Sequence, residues 1–60
     1  MKMSDIHRYA VELKEAHGSK ALFEAAQKAV DFEKQADTDQ AKTWRRIEAA
    51  LKEMQGPHQS

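Results

Sequence analysis

The 60-residue chain has no cysteine, one proline, two glycines and few aromatic residues (two Phe, one Tyr, one Trp). Without cysteine there is no disulfide staple, no thiolate nucleophile and no sulfur ligand for a metal. The same absence fits a reducing compartment, so a cytoplasmic location is expected. Glycine and proline stand only at Gly18, Gly56 and Pro57, which leaves few points where a helix must stop. An excess of one charge is lacking as well: ten Lys and Arg balance ten Asp and Glu, for a formal net charge of zero. A chain whose main partner is a nucleic acid or an anionic membrane ordinarily carries a positive surplus, so both are disfavoured as principal targets. No apolar run exceeds three residues, which leaves no candidate transmembrane helix. The opening "MKMSDIHRYA" has no apolar run behind its lysine, and no signal peptide is expected.

What is present is abundant alanine and a charge pattern that repeats with helical period. Stepping about 100° per residue from Ile6 puts Tyr9, Ala10, Leu13 and Ala16 on one face, with Arg8, Glu12 and Glu15 opposite. Ser4 or Asp5 is the expected N-cap of this first helix, and Gly18 can take the left-handed conformation that ends it. Ser19 then offers a fresh N-cap for a second helix running to about Ala36. Its apolar stripe is read as Leu22, Ala25, Ala26, Ala29, Phe32 and Ala36, widened on one side by Phe23 and Val30. An arc this wide suits a middle helix with two neighbours. Asp37 and Gln40 make a variant of the capping box, and Ala36 with Ala41 a small hydrophobic staple. The third helix carries Trp44, Ile47, Leu51 and Met54, and Gly56 and Pro57 stop it. The expected fold is all-α: a single domain over 1–60, a small three-helix bundle with helices at about 5–17, 20–36 and 38–55. The tail at about 57–60 is expected to fray. A core this small supplies roughly 3 to 5 kcal/mol.

The pattern Gly18-x-x-Ala21-x-x-x-Ala25-x-x-Lys28, followed by Asp37 seven residues before Trp44 and then by Ile47, resembles a family of short, uncharacterised bacterial helical proteins. Members carry a His-Gly joint, a later Gly-Asp joint and a W-x-x-I helix. The resemblance covers roughly residues 13 to 51 and departs at Ala36, where the family often has glycine, and at Gln40. It implies a helical fold and no biochemical activity.

Candidate chemistry is sparse. His17 lies within about 20° of Ile6 on the helical wheel, in the last turn of the first helix. As a catalytic base it needs a nucleophile and an orienting group, yet Glu15 points away and Ser19 is read as a cap. As a metal ligand it needs partners at helical spacing, and His7 is far round the wheel while His58 is in the tail. His17 is therefore read as a helix-end residue, satisfying terminal carbonyls and interacting with the helix dipole while its ring covers the core edge. Trp44-Arg45-Arg46 offers aromatic stacking beside guanidinium groups, but Trp44 is in phase with Ile47, Leu51 and Met54 and reads as a core anchor. Asp37 and Asp39 are accounted for by capping and the dipole rather than by a cation. Glu24–Lys28 and Glu48–Lys52 are expected i,i+4 pairs on solvated faces.

No catalytic constellation, cofactor site or metal site is read from the chain, so a non-enzymatic protein is expected. The leading expectation is a protein–protein interaction module that presents an apolar helix face. Phe23, Val30 and Ala26 are the candidate surface, and the partner is another protein or, by self-association, a second copy. At this stage two readings of Phe23 and Val30 stay open: cover by a neighbouring helix of the same chain, or a stripe free for a partner. The alternative function is weak nucleic-acid binding through Lys42, Arg45 and Arg46 on the outer side of the third helix.

Overall fold

The computed structural model describes residues 3–54, which form three α-helices: α1 Met3–His17, α2 Lys20–Lys34 and α3 Thr38–Met54. All three pairs of helices touch. The α2–α3 contact is the most extensive and the α1–α2 contact the slightest. The chain is thus a small all-α three-helix bundle, as its periodicity predicts. The expected stop at Gly56 and Pro57, the frayed tail and His58 lie outside the described residues.

Both joints turn on one residue in the left-handed conformation. Gly18 has φ +62°, and its N–H donates to the Lys14 carbonyl at 2.7 Å, closing the last turn of α1. At the second joint the left-handed residue is Ala36, also at φ +62°. The Ala36 N–H donates to Glu33 O at 3.1 Å and the Asp37 N–H to Phe32 O at 2.9 Å. Those two bonds are the pair that defines a Schellman ending, here built on an alanine where glycine is the favoured residue. Helix α2 therefore ends at Lys34, with Gln35 as its C-cap, and not at Ala36.

Caps differ from expectation in an instructive way. Ser19 sits in helical backbone, φ −66° and ψ −17°, and makes no side-chain cap bond. Only two residues separate α1 from α2, so the chain must turn at Gly18 and begin winding again at once. A side-chain cap wants an extended residue at that point. Ser4 and Asp5 lie within the first turn of α1 and not ahead of it. Asp37 caps as read, its Oδ1 accepting from the Gln40 N–H at 3.3 Å and its carbonyl from the Ala41 N–H at 3.0 Å. The box is half built, because the Asp37 N–H donates to Phe32 O and not to the Gln40 side chain. The staple is not built, because left-handed Ala36 is exposed while Ala41 is buried.

The core is small. Ile6, Ile47 and Leu51 are its largest fully buried side chains, with Ala10, Ala21 and Ala25 packed among them. Leu13, Leu22, Trp44, Ala50 and Met54 close over this centre, half-buried. Ala21, Ala25 and Ala29 form an i, i+4, i+8 ridge buried along α2. This ridge includes Ala21, which the expected stripe omitted, and it moves the buried centre of α2 away from Ala26. Small side chains belong there because the line of closest approach between helices leaves no room for larger ones. Trp44, expected as a core anchor, is half-buried at the rim, where its ring meets the edge of Tyr9 at 5.7 Å between centroids and 79° between planes. The slight contact between α1 and α2 leaves Ala16 exposed. The far end of α1 is tied instead to α3, where Lys14 Nζ donates to the Met54 carbonyl at 3.2 Å.

Candidate interaction face

Shifting the buried ridge of α2 toward Ala21 decides what faces outward. Phe23 lies about 160° round the helix from Ala25, and Val30 about 140°. Phe23 is 70% exposed, the most exposed large apolar residue described, while Val30 and Ala26 are half-buried. Neither α1 nor α3 covers Phe23, so the reading of cover within the chain fails for that residue, whereas Val30 is covered in part. The three residues succeed one another at spacings of three and four, the seam spacing of a helix that packs against another helix.

The borders of this stripe are unlike each other. On one side run Lys20, Gln27 and Lys34, seven residues apart and all exposed. Gln27 Nε2 donates to Asp31 Oδ1 at 3.2 Å, so that carboxylate is engaged beside the row. Among the described residues, neither Lys20 nor Lys34 is ion-paired with a carboxylate. On the other side Leu22 and Ala29 turn into the bundle. Glu33, the next seam position after Val30, is held by Arg45 and ends the apolar stripe.

The alternative site does not assemble as a basic face. Arg45 donates from Nε and Nη2 to the two carboxylate oxygens of Glu33, at 3.2 and 3.1 Å, and from Nη1 to Glu48 Oε1 at 3.1 Å. The hydrogen bond to Glu33, and after it that to Glu48, holds the guanidinium above its ordinary pKa, so its positive charge is permanent. Those carboxylates occupy the fork that a phosphate would need and add negative charge beside it. Lys42 and Arg46 are exposed, four residues apart on the side of Arg45 away from Glu48. Glu48 therefore serves Arg45 and not the i,i+4 lysine expected for it.

His17 has a different partner from the one read. Its Nδ1 lies 3.0 Å from Glu24 Oε1 on α2, both side chains being nearly half exposed. The ring thus bridges two helices at their shared joint instead of covering the core edge, and Glu24 faces it in preference to Lys28. His7 is elsewhere, lining a shallow groove of about 170 Å³ between α1 and α3 with Ile6, Arg46, Ala49, Ala50 and Glu53.

Sequence reasoning missed three groups: Glu33 as the anchor of Arg45, Glu24 as the partner of His17, and the row Lys20–Gln27–Lys34. The row was legible as a seven-residue spacing. The two carboxylate pairings carry no local signal, since each joins residues on different helices.

What the fold and this face define is a minimal helical bundle with one apolar seam left outside its core. No family model, curated protein or solved structure matches the chain.

Proposed function

We propose that this chain is a non-enzymatic protein–protein interaction module whose outer α2 face receives an α-helix of another protein. The observation that carries the reading is the exposure of Phe23 in register with Ala26 and Val30 on the face of α2 turned away from the core. A single exposed apolar side chain on a surface needs no explanation. Here an aromatic and a β-branched residue stand two turns apart with a small residue between them, the relief into which the knobs of a partner helix fit. Mixed charge elsewhere keeps the rest of the surface indifferent. The cytoplasm is the setting this reading assigns, on the absence of cysteine. No described helix is long and apolar enough to cross a membrane.

The test uses an amphipathic helical peptide with leucine at the seam positions and glutamine along both edges. Titrated into isotope-labelled protein, it should shift the backbone amides of residues 20–34 that lie on the outer side of α2. Phe23→Ser with Val30→Asn should remove those shifts while leaving helicity and melting temperature nearly unchanged, since neither residue belongs to the core. Shifts confined to α1 or α3, or a collapse of the fold in the double variant, would reject the face.

A further inference from the structure

We infer that the helix received by α2 carries a row of carboxylates along one edge of its apolar seam, facing Lys20 and Lys34. This rests on the docking face proposed above and specifies the partner's chemistry. Lys20, Gln27 and Lys34 repeat at seven residues along one border of the Phe23–Ala26–Val30 seam, which is where flanking side chains of two packed helices meet. Both lysines are exposed and without a carboxylate partner among the described residues, and Asp31 beside them is engaged by Gln27. On the opposite border Leu22 and Ala29 are turned inward, and the one carboxylate there, Glu33, is held by Arg45. Recognition through charge is thus confined to one edge, and its sign is positive.

A second copy of the chain fits this edge poorly. In an antiparallel pairing that sets Phe23 against Val30 of the second copy, the two lysine edges face each other. Lys20 falls level with Glu33 of that copy, whose carboxylate Arg45 already holds, and one residue from Lys34, like charge beside like. In a parallel pairing each lysine edge meets the inward-turned border of the other helix, whose one carboxylate, Glu33, is already held by Arg45. The apolar area is small for any occupant. A phenylalanine offers less than about 200 Å² in all, and even with Val30 this falls well short of the roughly 800 Å² per partner of a stable interface. A short helix that adds two or more ion pairs to the seam gains from what the copy lacks. An anionic membrane is the other surface that positive charge beside an apolar residue can meet, but two lysines and one protruding ring make a slight anchor.

The experiment compares three amphipathic helical peptides with the same leucine seam and glutamate, glutamine or lysine at the edge that meets Lys20 and Lys34, each titrated into labelled protein. The glutamate peptide should bind about tenfold tighter than the lysine peptide at low salt, with the glutamine peptide between them, and the spread should shrink as salt is raised. Lys20→Glu with Lys34→Glu should reverse the order. Equal affinities on the same amides would overturn the charge rule and leave the docking face standing. No peptide touching that face would remove both. Concentration-dependent shifts of those amides in the protein alone, with a melting temperature that rises with concentration, would make a second copy the occupant and overturn the inference. So would cosedimentation with phosphatidylglycerol vesicles that is lost in Phe23→Ser while the glutamate peptide stays unbound.

Discussion

At the scale of single residues, the two joints set a comparison that the chain makes within itself. Gly18 and Ala36 hold the same left-handed φ, +62°, but only glycine holds it without a clash between its own Cβ and backbone. A methyl group at Gly18 meets no atom within 4 Å, so a substitution there is opposed by backbone conformation alone. Gly18→Ala should then cost about 1 kcal/mol and Ala36→Gly should gain roughly 0.5–1 kcal/mol. For a domain of this size each shift appears as a few degrees in melting temperature, and a fall on Ala36→Gly would contradict the assigned geometry. Caps separate in the same manner. Asp37 accepts from the Gln40 N–H and Ser19 makes no cap bond, so Asp37→Ala should cost about 1 kcal/mol while Ser19→Ala should be close to neutral. Thermal melts of the two variants side by side decide it.

At the scale of elements, the most extensive contact, α2 against α3, is also the one clamped by charge at the surface. Arg45 of α3 reaches Glu33 of α2 through two parallel hydrogen bonds, with Glu48 one turn further along α3 completing the cluster. Because these groups are largely in water, the cluster directs the register of α2 on α3 more than it stabilises the fold. Arg45→Gln should lower the melting temperature slightly at low salt and hardly at all in concentrated salt, as screening removes the difference. Equal losses at both salt concentrations would mean that the stem of Arg45 contributes by packing and not by charge. The same cluster explains why Trp44-Arg45-Arg46, which invites a nucleic-acid reading in the sequence, does not present a continuous basic face. Helix α1 is held mainly by α3, through Ile6 and Ala10 in the core and through Lys14 on the Met54 carbonyl. His17 and Glu24 are its surface tie to α2.

At the scale of the whole molecule, three large side chains carry the buried core: Ile6, Ile47 and Leu51. Removing one of them cuts deeply into a domain that has roughly 3–5 kcal/mol in total. Ile47→Ala should cost roughly 2–5 kcal/mol and leave the chain largely unfolded at room temperature. Trp44→Ala should cost less, roughly 2 kcal/mol, because the ring is half-buried and forfeits only part of its apolar area and its edge contact with Tyr9. Circular dichroism of the two variants ranks them, and an order with Trp44 above Ile47 would place the tryptophan at the centre of the core after all. A molecule so short of buried volume nevertheless leaves one large apolar ring, that of Phe23, outside its own core.

Periodicity and punctuation determined the class of fold by themselves. Apolar residues at helical spacing set three helices, Gly18 set the first joint, and Asp37 capped the third helix, because each acts through bonds within one turn of itself. Ile6, Ala10, Ala25, Ile47 and Leu51 were legible as core for the same reason. The rotation of α2 was not legible. Leucine, phenylalanine and valine pull the apparent apolar centre toward themselves, whereas the buried side of α2 centres on the small ridge Ala21–Ala25–Ala29. A shift of that centre from Ala26 toward Ala21 turned Phe23 from the margin of the core to the surface. Nor could the chain announce that Glu33 meets Arg45 or that Glu24 meets His17, since the helices on which they stand are set side by side only by the burial of other residues. Local hydrogen bonding and period made the elements. The tertiary packing alone decided which apolar side chains lie outside the core.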